Sequence, residues 1–179
     1  MSTDAQQAPT ALDAVRRGEI LADVAALRDS FDAGTTRPLE ARIAQLDALA
    51  RGLRAERPRL LKALELDLGK SRTESLITEV GVVTQELAHL RKNLRAWLRP
   101  ERFGPGLLLA PSSGQIRREP LGTTLIISPW NYPVNLALAP VIGAIAGGNT
   151  AILKPSEVAP ATSSALAHLV RAHLDPAWV

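Results

Sequence analysis

Asn131, Lys154 and Glu157 are the side chains of this sequence best placed for chemistry, because each stands just past a short apolar run. Asn131 lies in Pro129-Trp130-Asn131-Tyr132-Pro133, where two prolines stiffen the loop around it. Its amide NH2 is a neutral donor pair that can stabilise an oxyanion without exchanging a proton with it. Asparagine is also among the best helix N-caps, so spacing alone leaves a second reading, a cap on the apolar segment that follows. Lys154 and Glu157 flank Pro155-Ser156 and could together meet a ribose diol, one donating and the other accepting. The alternative for them is a surface ion pair of small energetic consequence.

These residues need a scaffold, and the surrounding pattern supplies one. Gly122–Ser128, GTTLIIS, is rich in β-branched residues, as a buried strand should be, and TAIL from Thr150 to Leu153 is a second strand. The weakly polar run from Val134 to Gly148 between them predicts a buried helix of about three turns, closed by Gly143, Gly147 and Gly148. Strand, helix and strand at this spacing predict a right-handed βαβ crossover in a parallel sheet. Ligands of open α/β sheets bind beyond the carboxyl ends of the strands, which is where both polar clusters fall. The glycines end a helix rather than begin one, so their amides are poorly directed for a pyrophosphate. A further helix is expected over Pro160–His173, and Pro176-Ala-Trp-Val could lead into a third strand.

Upstream, residues 1–11 are small and polar and are expected to be a disordered tail, followed by a helical part over residues 12–98. Ile20, Val24, Leu27 and Phe31 share one face of a first helix, with Gly34 at its end. Pro38 opens a second helix through Leu39, Ile43, Leu46, Ala50 and Leu53, and Pro58 is expected to open a separate third, ended by Gly69. Ser71 with Glu74 forms a capping-box pattern ahead of the stripe Leu76, Val80, Val83, Leu87, Leu90, Leu94 and Trp97. That stripe predicts a core-facing helix, a coiled-coil seam being the alternative. Residues 99–120 form a Pro- and Gly-rich linker with a short polar strand at Ser113–Pro120, and residues 121–179 begin the α/β domain.

Composition narrows the function classes. A net charge of +3 with 3% aromatic residues leaves few stacking platforms, and nucleic-acid binding is not expected. The chain has no cysteine, which excludes disulfides, thiolate metal sites and a cysteine nucleophile among its own residues and fits a reducing, cytoplasmic compartment. His89, His168 and His173 lack metal-ligand spacing and are expected on helix surfaces, so no metal is expected. No apolar run is long enough for a membrane span, and no secretory signal is apparent.

The segment EPLGTTLIISPWNYPVNLALAPVIGAIAGGNTAILKPSE, from Glu119 to Glu157, resembles the aldehyde dehydrogenase superfamily pattern of PWN(F/Y)P, a helix ending in GN, and LKP(S/A)E. The class 3 branch fits best, since FDAGTTRPLEARIAQLDAL and LGKSRTESLITEV are similar to its N-terminal helices. The resemblance implies an α/β fold in which N-terminal helices precede the first βαβ units of an incomplete, parallel, Rossmann-like cofactor domain. It implies oxyanion stabilisation for Asn131, NAD or NADP contacts for Ser128, Pro129, Trp130, Lys154, Ser156 and Glu157, and a place beside the substrate tunnel for Tyr132. Ser113–Pro120 then matches the start of an oligomerisation arm, and the full-length protein is expected to be a homodimer.

The implied reaction is oxidation of a small-molecule aldehyde to a carboxylic acid by way of a cysteine-bound thiohemiacetal and thioester. This chain stops short of the family's cofactor glycine motif, general-base glutamate and cysteine, so it is expected to be an N-terminal portion, inactive alone. A non-catalytic interaction module and an acylating or semialdehyde-specific relative are the alternatives. The sign of the NAD against NADP preference stays open, because Glu157 repels and Lys154 attracts a 2′-phosphate.

Overall fold

A computed structural model describes residues 11–104, 106, 108 and 111–179; most of the expected N-terminal tail lies outside them. The elements in chain order are α1 (Ala11–Asp32), α2 (Leu39–Leu68), α3 (Arg72–Ser75), a π-helical turn (Leu76–Val80) and α4 (Gly81–Trp97), followed by β1 (Glu101–Phe103), β2 (Gly114–Ile116), β3 (Thr123–Ile127), α5 (Asn135–Gly147), β4 (Thr150–Lys154) and α6 (Pro160–His173). β3 and β4 pair in parallel from Thr123↔Thr150 to Ile127↔Lys154, as the βαβ pattern predicts. The chain is therefore α/β, with a helical layer ahead of a parallel crossover unit.

The core forms where the apolar stripes of the helices meet α5. Leu46, Leu49, Leu60 and Leu64 of α2, Val83 and Leu87 of α4, and Leu138, Val141, Ile142 and Ile145 of α5 are buried in one cluster with Ile126 and Ala151 of the strands. Leu166 and Leu169 bring α6 against α2 in the same cluster. The stripe of α4 faces this core rather than a second coil, though Trp97 at its end is 43% exposed. Ser71 does cap the helix, its hydroxyl accepting from Glu74 N at 3.1 Å.

Three expectations are corrected. Pro58 starts no new helix: α2 runs unbroken from Leu39 to Leu68 with Pro58 inside it. Proline removes one backbone donor and frees the carbonyl four residues before it. Here that residue, Arg54, and Pro58 itself are exposed, so the freed carbonyl is open to solvent while Leu53, Leu60, Leu61 and Leu64 hold both halves to the core. Gly143 does not belong to the turn after α5, for it lies within the helix; Gly148, at φ 83°, makes the left-handed turn. β3 is also less buried than its composition suggests, with Ile126 in the core but Leu125 and Ile127 exposed on the opposite face.

The other segments fall close to expectation. β2 lies within the expected strand at Ser113–Pro120 and pairs antiparallel with β1, which lies in the expected linker. The C-terminal residues reach the free edge of β4 through one backbone bond, Ala151 N to Trp178 O at 2.8 Å, and form no further strand among the described residues. Across the helical layer, Arg91 hydrogen-bonds Asp47 and holds its carboxyl below the usual range. His168 and His173 both approach Glu56 at 3.5 Å. Burial alone would raise the Glu56 carboxyl, but His173, Arg59 and His168 together hold it below its ordinary value. Among the described residues no helix is long and apolar enough to cross a membrane.

Candidate functional site

The two polar clusters meet at the carboxyl edge of the parallel pair. Ser128 N donates to Lys154 O at 3.1 Å, which joins the start of the Asn131 loop to the last residue of β4. Ser128 is buried there and its hydroxyl has no hydrogen-bond partner among the described residues. Pro129 and Trp130 follow it outward, and Trp130 is 51% exposed despite its size. Beyond β4, Lys154 and Glu157 are exposed and paired with each other, and Lys154 holds the Glu157 carboxyl below the usual range. Ser156 is buried and shapes this turn: its hydroxyl accepts from Val158 N at 3.3 Å and its carbonyl from the Ser163 hydroxyl at 2.6 Å.

Asn131 is exposed, and its side-chain amide makes no hydrogen bond among the described residues. It does not cap α5. The helix begins at Asn135 with Val134 at the cap position, and no local side chain serves it. The cap comes instead from Glu79, in the π turn of the helical layer, whose Oε2 accepts from Val134 N at 3.1 Å and Asn135 N at 2.9 Å. A carboxylate suits those donors, since a helix N-terminus carries positive partial charge. The amide of Asn131 is thereby left for another acceptor.

Glu79 is fully buried, and its Oε1 accepts from Lys70 Nζ at 2.6 Å. Lys70 also donates to the main-chain carbonyl of Asn131 at 2.9 Å and stands 4.0 Å from the centre of the Tyr132 ring. Sequence reasoning assigned no role to either residue. The signal for Glu79 was present: it follows Leu76 by three and precedes Val83 by four, which puts a carboxylate on an apolar helical stripe. Lys70 carried no comparable signal, because only the fold brings the residue after Gly69 against the loop at Asn131.

The opposite end of α5 is held as firmly. Arg42, buried in α2, donates to Ala146 O at 3.3 Å, Thr36 O at 3.0 Å and Arg37 O at 2.9 Å. Burial pushes its guanidinium below the ordinary value, partly offset by Glu119. The Thr36 hydroxyl donates to Gly148 O at 2.6 Å, and Asn149 Oδ1 takes Leu121 N and Gly122 N at 2.7 and 3.0 Å, pinning the entry to β3. A cation thus sits at the carbonyl end of α5 and an anion at its amide end, each complementing the helix dipole.

The helix after β4 is capped in the same manner. Asp67 of α2 accepts from Ala161 N at 3.1 Å and Thr162 N at 2.7 Å. Both helix N-termini next to the site are therefore occupied by carboxylates of the chain itself. A phosphate does not fit beside either, since like charges so close repel and the donors are already engaged. The polar groups left accessible at this edge are the Lys154–Glu157 pair and the amide of Asn131, which makes no hydrogen bond among the described residues.

Comparison with known proteins bears on the family and the fold. The sequence pattern of the aldehyde dehydrogenase family matches residues 5–179. The mouse (Mus musculus) aldehyde dehydrogenase family 3 member B2 is 47% identical over 149 residues, which cover 83% of this chain and 31% of the relative. The substrate-bound structure of Staphylococcus aureus AldH superposes with a TM-score of 0.86 at 35% identity, over 89% of this chain and 35% of that one. A Pseudomonas syringae aldehyde dehydrogenase C variant, solved with NAD+ and octanal, does so with a TM-score of 0.73 at 29% identity, over 89% of this chain and 31% of its own. The chain spans about a third of the length of the curated relatives it matches. With a βαβ unit of this geometry and a family match over residues 5–179, the chain belongs to the aldehyde dehydrogenase family, among relatives of its class 3.

Proposed function

We propose that this chain supplies the oxyanion donor and part of the cofactor cleft for the NAD(P)-dependent oxidation of an aldehyde to a carboxylic acid. One observation carries this reading: the Asn131 amide is freed from capping by Glu79 at the same strand edge that bears Lys154 and Glu157. The residues present fit the sugar of a nicotinamide dinucleotide. Lys154 can donate to one ribose hydroxyl and Glu157 accept from another, while Ser128, Pro129 and Trp130 line the approach. When bound, the cofactor supplies the hydride acceptor. Asn131 donates a hydrogen bond to the carbonyl oxygen of the aldehyde as charge builds on it, and Tyr132 stands beside the substrate. The nucleophile is not among these residues, since the chain has no cysteine.

Breaking the Lys154–Glu157 pair to engage a ribose gives up little, because both groups are exposed. Lys154→Ala, in a polypeptide that also carries the cysteine nucleophile, is expected to raise the cofactor KM several-fold with kcat little changed. Steady-state kinetics in varied NAD and NADP checks this, and an unchanged cofactor KM would sink the role of Lys154.

Assembly as a homodimer is proposed through the β1–β2 ribbon, where Phe103 and Ile116 are exposed large apolar residues on short strands. A native mass of one protomer for the protein would overturn it. The lack of cysteine supports a reducing compartment such as the cytoplasm.

A further inference from the structure

We infer that Lys70 and Glu79 are positioning residues that fix the direction of Asn131 by clamping the backbone from Asn131 to Asn135. The inference rests on the reading of Asn131 as the oxyanion donor and gives that residue its support. Stiffness from the two flanking prolines restricts the loop but does not anchor it to the domain. Anchoring comes from two main-chain points. Lys70 Nζ holds the carbonyl of Asn131 at 2.9 Å, and Glu79 holds the amides of Val134 and Asn135 at 3.1 and 2.9 Å. The ammonium over the Tyr132 ring adds a third contact between them. Every polar contact falls on backbone or on the partner of the pair, so Asn131 keeps its side-chain donors.

Two local features of the helical layer deliver these two groups. Gly69, at φ 64°, ends α2 in a left-handed turn, which presents Lys70 at the start of the next segment. Ser71 then caps α3, and the helix widens through the π turn that contains Glu79. That turn is closed by Gly81 N–H to Leu76 O, and a Cβ at Gly81 would lie 2.3 Å from the same oxygen. Glycine at this position therefore permits the wide turn. π turns within α-helices recur at functional sites.

Stability does not explain the pair well. Two charges withdrawn from water recover little more than their desolvation, and an apolar pair of similar volume is often as stable. What such a pair does provide is a unique geometry, here for a loop whose one free donor set must meet a developing charge. Misplacement of a reacting group by about 1 Å can lower a rate by about a hundredfold.

The test separates stability from position. The double variant Lys70→Met with Glu79→Leu leaves no charge unpaired, removes the acceptor of the Val134 and Asn135 amides, and stays close to the original volumes. Its urea midpoint is expected at or modestly below that of the parent, since the Val134 and Asn135 amides lose an acceptor but no charge is stranded. Amide exchange at Val134 and Asn135 is nevertheless expected to rise at least tenfold relative to Ile142 in the same helix, and 15N relaxation at Asn131 to report a mobile backbone. Because exchange is read against Ile142, a global loss of stability would move all three amides together. Parent-like exchange at Val134 and Asn135 and a rigid Asn131 would overturn the inference. Should the double variant not fold, Lys70→Arg keeps a cation beside Glu79, and with it the α5 cap, while moving the donor away from the Asn131 carbonyl, and is read at Asn131 in the same way.

In a polypeptide that also carries the nucleophile, the double variant is expected to lower kcat about tenfold to a hundredfold with the cofactor KM unchanged. The exchange measurement involves neither cofactor nor aldehyde, so its failure removes the clamp and leaves the role of Asn131 standing. The reverse failure looks different: mobile loop amides with no effect on kcat would sink the oxyanion reading instead.

Discussion

Asn131→Ala is expected to lower kcat for aldehyde oxidation by about a hundredfold to a thousandfold, the loss typical for one oxyanion donor. The measurement belongs in a polypeptide that joins these residues to the cysteine nucleophile. The size of the effect follows from the site. The amide is a neutral donor with no partner of its own among the described residues, so nothing must be broken before it meets an oxyanion. Its backbone is fixed on the C-terminal side, by Lys70 at its own carbonyl and by Glu79 two peptides on. A donor held this way interacts more strongly with the transition state, where the oxygen is charged, than with the carbonyl of the bound aldehyde.

The KM values should therefore move little while kcat falls. Asn131→Asp should be at least as damaging, because a carboxylate in the same position repels the charge it would have to stabilise. A decrease smaller than threefold for Asn131→Ala would remove the residue from the catalytic role. Its fold is not at risk, since α5 is capped without it.

Arg42→Met is expected to destabilise the chain by about 2–4 kcal/mol, read as a lower urea midpoint. Methionine fills much of the space but leaves the carbonyls of Thr36, Arg37 and Ala146 without the donor each now has. Buried carbonyls without partners carry a large penalty, and the end of α5 also loses the cation that complements its dipole. Arg42→Lys should lie between the two, since an ammonium cannot reach all three carbonyls in the planar pattern of a guanidinium.

Gly148→Ala tests the same contact from the other side. Its φ of 83° alone disfavours any Cβ by about 1–2 kcal/mol. That Cβ would also lie 2.5 Å from the Arg42 guanidinium. The end of a long side chain can usually move aside, but this one is held by three hydrogen bonds in the interior. An unchanged midpoint for both variants would show that Arg42 only fills space. Neither substitution touches Asn131, so loss of stability and loss of chemistry are separable in this protein.

The sequence alone sufficed for the crossover unit, and the reason is local. β-branched runs, an apolar helix of three turns and a glycine turn each act within a few residues, and together they allow few topologies. The placement of Asn131, Lys154 and Glu157 at the strand ends follows from the same periodicity. The Ser71 cap was equally legible, since it involves only its own turn. Pro58 misled because its local effect, one lost hydrogen bond, is outweighed by leucines on both sides that pack against distant elements.

The choice between capping and catalysis for Asn131 was of the second kind. Spacing left both open, because asparagine serves either. The tertiary structure decided against capping by bringing Glu79, fifty-five residues from Val134 in the chain, to the amide end of α5. Lys70 and Arg42 act over comparable separations. Groups that satisfy a backbone from another layer leave no periodic trace near the residue they serve. Sequence thus determined where the polar side chains of the two strand ends stand, and only the packed helical layer decided that Asn131 does not cap α5.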